Sequence, residues 1–175
     1  SSVSHAGYIA LIFFGLNSFS TYILGFYLFA YSLATVGVFI SLIYVEKIKR
    51  ETSFTAFNGL GKKEPVLAVV SSISMLSMAG IPLTAGFIGK LGIFNQVMAT
   101  GNGREQFLVV VAVLGSALSI AYYLKLFVAM FFYKEDNFNV KEKATITYNI
   151  VSVVIIVAFV AMGIVPDLFA RLFGL

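Results

Sequence analysis

The stretch from Pro65 to Ala99 constrains the fold of this chain more than any other part of the sequence. Its 35 residues include no Asp or Glu and one basic residue, Lys90. It is apolar enough for lipid, yet it exceeds the roughly 20 residues with which a helix spans a bilayer. Gly80-Ile81-Pro82 lies near its middle, where proline removes a backbone donor and glycine adds conformational freedom. We therefore predict a membrane helix that is broken near residues 80–83.

Lys90 follows this predicted break by about two turns, or roughly 12 Å along a helix axis. Backbone groups freed in the hydrocarbon persist only where protein or water satisfies them. An ionisable side chain beside a broken helix is typical of ion pathways in transporters. In the alternative interpretation, Lys90 extends to the headgroups and the break serves packing alone. About nine apolar or uncharged residues separate Lys90 from the turn at Gly101. A lysine stem is too short to cover this distance, so the sequence favours a buried amine.

The composition predicts an integral membrane protein. Hydrophobic residues make up 59% of the chain and charged residues 11%, with a mean hydropathy of +0.96, which is far more apolar than a soluble domain. The net charge of +4 is therefore no argument for a nucleic-acid partner. With no cysteine and one histidine, the chain cannot hold an iron–sulfur cluster through thiolates or supply two imidazoles to a haem. We expect no metal, cofactor or catalytic redox site here, so any linked redox reaction takes place on other subunits.

Hydropathy divides the chain into about five spans, and the fold class predicted is an all-α, polytopic membrane bundle with one discontinuous helix. The spans are expected at about 3–16, 22–45, 65–99, 106–133 and 144–165. The first is too short to cross a bilayer and follows no signal sequence, so we expect the sequence to begin inside a membrane segment. A polar surface loop is expected between Glu46 and Glu64, and a short amphipathic tail in the interface after Asp167.

Basic residues predict the orientation of these spans. Eight lie in the two loops of one side, and two lie on the other. This asymmetry predicts that the two basic loops face the cytoplasm, or a matrix-like compartment, and that the C-terminus is outside. The eight are Lys47, Lys49, Arg50, Lys62, Lys63, Lys134, Lys141 and Lys143, and the two are Arg104 and Arg171.

Three titratable groups within the predicted spans are candidates for carrying protons: Lys90, Lys125 and His5. A buried ammonium without a carboxylate partner is disfavoured relative to the neutral amine, which suits Lys90 to proton exchange. Lys125 lies about 12 Å before the end of its span, where a buried role and extension to the headgroups are equally open. His5 is either a relay or a structural residue.

Hydroxyl-bearing residues offer further candidates. Tyr27 and Tyr31 share a helix face at i and i+4, so they either support a chain of water molecules or pack. Packing is the commoner role of such a pair. Four serines follow the first half of the broken segment, where helix contacts are favoured over a pathway. They are Ser71, Ser72, Ser74 and Ser77.

Two motifs carry a resemblance to a known family. SSVSHAGY at residues 1–8 and LSMAGIPLTAGFIGK at residues 76–90 resemble the antiporter-like membrane subunits of respiratory complex I, in particular the subunit N branch that includes mitochondrial NADH dehydrogenase subunit 2. Members of the family typically have fourteen helices with two inverted repeats, each containing a broken helix. The resemblance implies that this chain corresponds to the last five of these helices.

The resemblance also implies roles for individual residues. Lys90 matches the proton-carrying lysine of the second broken helix, Lys125 a basic residue of the penultimate helix, and His5 a histidine of the helix that opens this chain. Subunit M normally has glutamate in place of Lys90. Subunit L has a long lateral helix after the span that ends at Val165 here, and it tends to have two histidines and a lysine where this chain has Tyr27, Tyr31 and Thr35.

The function implied by the resemblance is that of a proton-translocating membrane-arm subunit of NADH-quinone oxidoreductase. NADH, FMN, iron–sulfur clusters and quinone are then expected on other subunits, and the partners are neighbouring membrane-arm subunits and the lipid bilayer. The expected location is a bacterial inner membrane, or alternatively the mitochondrial inner membrane. A sodium/proton antiporter subunit, a membrane-bound hydrogenase subunit and a structural scaffold with inert lysines stay open as alternatives. Without the Lys-Glu pair of the first repeat, this chain alone is not expected to pump.

Overall fold

The computed structural model describes residues 1–133 and 144–166, and within these ranges the regular structure is entirely helical. The predicted all-α membrane fold is therefore confirmed. The helices are α1 (Ser2–Leu11), α2 (Ser20–Lys49), α3 (Leu60–Lys63), α4 (Pro65–Ala79), α5 (Ala85–Thr100), α6 (Gly103–Phe132) and α7 (Ile146–Ile164), with short 3-10 turns at Ile12–Phe14 and Phe54–Phe57. In the described part of the chain, α2, α6 and α7 are each long and apolar enough to cross a membrane.

Part of the predicted charge asymmetry lies outside the described residues. Lys134, Lys141, Lys143 and Arg171 belong to residues 134–143 and 167–175, as does the predicted amphipathic tail after Asp167. The orientation of the bundle therefore stays a prediction from the sequence.

Helix α2 extends beyond the end that hydropathy predicts. The helix continues through Lys49 and is capped by Arg50. This residue has a left-handed conformation (φ 55°) and donates its N–H to the Glu46 carbonyl at 2.8 Å. Hydropathy reports where the apolar surroundings end, whereas a helix continues as long as its backbone hydrogen bonds form. The residues up to Glu64 were predicted as a surface loop, but Phe57 and Leu60 are buried against the bundle. This segment is therefore a packed connection between α2 and α4.

Helix α4 lies at the centre of the bundle, in contact with α2, α5, α6 and α7. Small residues allow these helices to approach closely, as is common in membrane bundles. A Cβ atom on Gly37 of α2 would lie 2.2 Å from the Ser74 hydroxyl of α4, and one on Gly163 of α7 would lie 2.6 Å from the Leu83 carbonyl. The central position of α4 places its C-terminal end, the point where the helix breaks, inside the protein.

Candidate functional site

The break between α4 and α5 is made by a glycine cap. Gly80 has a φ of 81°, and its N–H donates to the Leu76 and Ser77 carbonyls at 3.1 and 3.0 Å, while the Ile81 N–H also donates to the Leu76 carbonyl at 3.1 Å. This is the usual way in which a left-handed glycine ends a helix. It leaves the carbonyls of Met78 and Ala79 without backbone donors, so these two oxygens need other partners inside the bundle.

The start of α5 is satisfied by two hydroxyl groups. The Thr84 hydroxyl accepts the Phe87 N–H at 3.3 Å, and the Ser77 hydroxyl of α4 accepts the Gly86 N–H at 2.9 Å. The backbones of the two half-helices meet at Gly86, where a Cβ would lie 1.9 Å from the Ser77 carbonyl oxygen. Glycine is therefore required at position 86 for α5 to begin beside the end of α4.

Lys90 supplies the missing partners at the end of α4. Its side chain is 4% exposed, and its Nζ donates to the Met78 carbonyl at 2.7 Å, the Ala79 carbonyl at 3.3 Å and the Ser116 hydroxyl at 2.9 Å. The C-terminal end of a helix carries a partial negative charge, so the ammonium group faces a fixed dipole in place of a carboxylate. The amine lies at the break and does not extend to the end of α5.

Two residues of this site were not identified from the sequence. The Lys90 Nζ lies 4.8 Å from the centroid of the Tyr8 ring, within the range of a cation–π interaction. Ser116 of α6 accepts from Lys90 and also donates to the Ala79 carbonyl at 3.2 Å. Tyr8 belongs to the first motif, three residues after His5, and Ser116 interrupts an apolar run, but neither signal indicates contact with Lys90.

His5 lies next to this site and is also buried, at 3% exposure. Its Nδ1 is hydrogen-bonded to the Tyr27 hydroxyl at 2.7 Å. Its ring stacks on Tyr31, with centroids 4.4 Å apart, and meets Tyr8 edge-on at 5.7 Å. The two tyrosines predicted to share a face of α2 therefore both contact His5, and Tyr8 lies between His5 and Lys90.

A small cavity adjoins this cluster. Its volume is about 10 Å³, at the lower limit of the space that one water molecule needs. It is lined by His5, Tyr27, Ala30, Tyr31, Ala34, Ser77, Met78 and Gly86. The cavity therefore borders both the histidine and Met78, whose carbonyl Lys90 contacts.

Lys125 lies apart from this cluster. Its side chain is exposed, and its Nζ lies 5.0 Å from the centroid of the Phe54 ring, in a cleft of about 510 Å³ beside the connection between α2 and α4. The cleft is also lined by Asn58 and Tyr133, the latter directly after the end of α6. The described contacts do not link the amine of Lys125 to Lys90, and its role stays a prediction.

The four serines of α4 have different environments. Ser72 donates to the Ala68 carbonyl at 2.7 Å, and Ser77 accepts from Gly86 at the start of α5. The hydroxyls of Ser71 and Ser74 are buried without a hydrogen-bond partner. Ser77 therefore joins α4 to α5, whereas the Ser72 hydroxyl bonds within its own helix.

The structure offers no group for metal binding in its described portion: residues 1–133 and 144–166 contain no cluster of three His, Cys, Asp or Glu side chains that could hold an ion. The proton-bearing groups that the site brings together are the Lys90 amine, the His5 imidazole and the hydroxyls of Tyr27 and Ser116.

Comparisons with known proteins identify relatives of this chain. NADH-quinone oxidoreductase subunit N of Flavobacterium psychrophilum is 34% identical over 173 residues, which cover 98% of this chain and 36% of the relative. A chain of respiratory complex I from Thermus thermophilus, solved with bound aureothin, matches with a TM-score of 0.75 and 31% identity over 95% of this chain and 37% of that chain. The membrane-bound sulfane sulfur reductase, an archaeal respiratory membrane complex, matches with a TM-score of 0.72 and 25% identity over 87% of this chain and 30% of its own.

The chain spans about a third of the length of the curated relatives that it matches. Residues 1–119, which include α1 to α5 and the first half of α6, match the family described as "NADH:quinone oxidoreductase/Mrp antiporter, TM". This match covers most of the chain and agrees with the resemblance carried by the two motifs at residues 1–8 and 76–90. The chain therefore belongs to the NADH:quinone oxidoreductase/Mrp antiporter transmembrane family.

Proposed function

We propose that this chain is part of a proton-translocating membrane subunit of an NADH-quinone oxidoreductase, in which Lys90 binds and releases the transported proton. The proposal rests on one observation: at the break of a membrane helix, the Lys90 amine donates to the Met78 and Ala79 carbonyls, which have no backbone donors. The relatives named as NADH-quinone oxidoreductase subunit N support it.

The environment of Lys90 balances two opposing effects. Removal from water disfavours the ammonium form, whereas the α4 carbonyls and the face of the Tyr8 ring favour it. The carbonyls lie on one half-helix and the lysine on the other, so a small displacement of α4 relative to α5 changes the distance from the amine to its acceptors. Such a displacement would favour proton release in one state and proton binding in the other.

His5 and Tyr27 are proposed to exchange protons with this amine. The imidazole has one nitrogen that donates and one that accepts a proton, and its hydrogen bond to the Tyr27 hydroxyl keeps it beside the small cavity. Tyr31 stacks on the imidazole and fixes the plane of the ring. Lys125 stays a prediction as a proton-pathway residue, and its side chain is exposed in the cleft beside Phe54.

The energy for this cycle is proposed to come from redox chemistry on other subunits. NADH, FMN, iron–sulfur clusters and quinone would be bound there, and this chain would contribute to pumping through contacts with neighbouring antiporter-like subunits. A bacterial inner membrane is the proposed location, since the relatives named as NADH-quinone oxidoreductase subunit N are bacterial.

Replacement of Lys90 in the intact complex tests this function. Lys90→Met should lower the number of protons pumped per NADH oxidised, measured in proteoliposomes with a pH-sensitive dye. Lys90→Arg should lower it as well, because a guanidinium keeps the charge but does not deprotonate in proteins. Lys63→Met is the matched control, since this lysine is exposed in α3. Unchanged pumping in both Lys90 variants would refute the proposal.

A sodium/proton antiporter subunit is a second candidate, because the family description includes the Mrp antiporter. In that case, proton movement through the assembled complex should require sodium and persist without NADH. A measurement of proton uptake with potassium in place of sodium separates the two functions.

A further inference from the structure

Glu64 is a buried carboxylate that the proposed function does not use. It is 8% exposed and lies directly before Pro65, the first residue of α4. Its Oε1 accepts hydrogen bonds from the Tyr44 hydroxyl at 3.0 Å and from the Ala144 N–H at 2.9 Å. Acidic residues are rarely this buried in proteins, and those within membrane bundles commonly belong to ion or proton pathways.

A stripe of small and polar residues extends from Glu64 along the contact between α2 and α4. On α2 it consists of Ala34, Gly37 and Ser41, which recur every three to four residues and are all buried. The Ser41 hydroxyl donates to the Leu67 carbonyl of α4 at 2.9 Å, one turn after Glu64. At these three positions α2 therefore presents no large side chain to α4.

Two unpartnered hydroxyl groups lie one turn apart on α4, beside this stripe. Ser71 and Ser74 are 0% exposed, and neither hydroxyl has a hydrogen-bond partner. The Ser74 Oγ lies 2.2 Å from the position that a Cβ on Gly37 would occupy, so it faces α2. A buried hydroxyl without a partner costs roughly 1 to 3 kcal/mol, and internal water is the usual means by which proteins satisfy such groups.

The stripe leads to the site of Lys90. Along the axis of α4, Ser71 lies roughly 10 Å from Glu64, Ser74 about 4.5 Å further, and Met78 about 6 Å beyond Ser74 at 1.5 Å per residue. The Met78 carbonyl accepts from the Lys90 amine at 2.7 Å. The cavity beside His5 is lined by Ala34 of the stripe and by Met78. Polar groups thus follow one another along α4, from Glu64 at the end of the α2–α4 connection to the amine of Lys90.

We propose that the contact between α2 and α4 is a proton-uptake path from Glu64 to Lys90, carried by the hydroxyls of Ser41, Ser71 and Ser74 and by water bound to them. The path rests on the proposed role of Lys90. The Glu64 carboxylate takes a proton from the aqueous phase on the side of the α2–α4 connection. It passes this proton to the hydroxyl and water chain, and the neutral Lys90 amine takes a proton from the other end, so that Glu64 returns to its anionic form.

Two variants of the intact complex test the path. Glu64→Gln keeps an oxygen that can accept from Tyr44 and Ala144 but cannot carry a proton. The double variant Ser71→Ala, Ser74→Ala removes the two unpartnered hydroxyls. Ser72→Ala is the matched control, because that serine lies on the same helix and already has the Ala68 carbonyl as its partner.

The readout is the number of protons pumped per NADH oxidised, with Lys90→Met as the reference. We expect Glu64→Gln and the double serine variant each to lose as much pumping as Lys90→Met, while Ser72→Ala pumps normally and all variants assemble. If Lys90→Met lowers pumping but the double serine variant does not, the α2–α4 contact serves packing alone and the path is refuted. If Glu64→Gln prevents assembly, the serine variant decides by itself. Unchanged pumping in Lys90→Met would refute the proposed function, and the path with it.

Discussion

Gly86→Ala should disrupt the helix break more than any other replacement of a glycine by alanine in this region. The added Cβ would lie 1.9 Å from the Ser77 carbonyl oxygen, whereas even close carbon–oxygen contacts are about 3.3 Å. The start of α5 must therefore move away from α4 by more than 1 Å, by the difference of these distances.

The cost follows from the groups that this displacement separates. Overpacking costs about 1 to 3 kcal/mol. The Gly86 N–H, now 2.9 Å from the Ser77 hydroxyl, loses its acceptor, which adds about 1 to 3 kcal/mol for a buried donor. We therefore expect a loss of roughly 2 to 6 kcal/mol in the free energy of unfolding. The same movement lengthens the bond from Lys90 to Met78, so the variant that does assemble should pump fewer protons per NADH.

The assay is the amount of assembled complex in membranes, together with SDS-induced unfolding of the purified full-length subunit. Gly115→Ala is the control, since a Cβ at this α6 glycine meets nothing within 4 Å and alanine favours a helix by about 1 kcal/mol over glycine. If Gly86→Ala were as stable as Gly115→Ala, the close approach of α4 and α5 would be wrong, and with it the placement of Lys90 against the end of α4.

Three further replacements test the surroundings of the break. Thr84→Ala should lower the free energy of unfolding by about 0.5 to 2 kcal/mol through loss of the α5 cap, while Thr84→Ser keeps the hydroxyl and should be near wild type in the same SDS titration. Gly80→Ala should cost about 1 to 2 kcal/mol because a left-handed residue would carry a Cβ, and Gly80→Asn should cost less; equal stability of the three proteins would contradict the observed φ. Tyr27→Phe keeps the ring but removes the hydroxyl partner of His5, so we expect the free energy of unfolding to fall by about 1 to 3 kcal/mol. The assembled complex should also pump protons more slowly, and normal pumping would exclude Tyr27 from proton exchange with Lys90.

Local sequence was sufficient to predict the break. Glycine and proline act on the backbone within one turn, so the place where a helix ends is a local property. The sequence also favoured a buried Lys90, because the distance from the break to the next polar turn exceeds the length of a lysine side chain. The prediction for the connection from Glu46 to Glu64 was less accurate, since hydropathy does not reveal that Phe57 and Leu60 pack against the bundle.

The residues that contact Lys90 from distant parts of the sequence could not be predicted. Lys90 meets Tyr8 of α1 and Ser116 of α6 only because three helices pack around the end of α4. Lys125 and Lys90 are both lysines in apolar spans, yet Lys90 is buried and Lys125 is exposed. Their spacing in the sequence does not decide this, because the exposure of a helix face depends on which neighbour covers it.

The sequence by itself determined that the chain crosses a membrane as helices, that one helix breaks at Gly80-Ile81-Pro82, and that an amine lies two turns beyond the break. These properties follow from hydropathy and from backbone preferences, which act over a few residues. The tertiary structure alone decided what the amine contacts: the orphaned carbonyls of α4, the Tyr8 ring and the Ser116 hydroxyl. A buried charge is stabilised by groups that folding brings to it from elsewhere in the chain, and such groups are identified only when the packing of the helices is known.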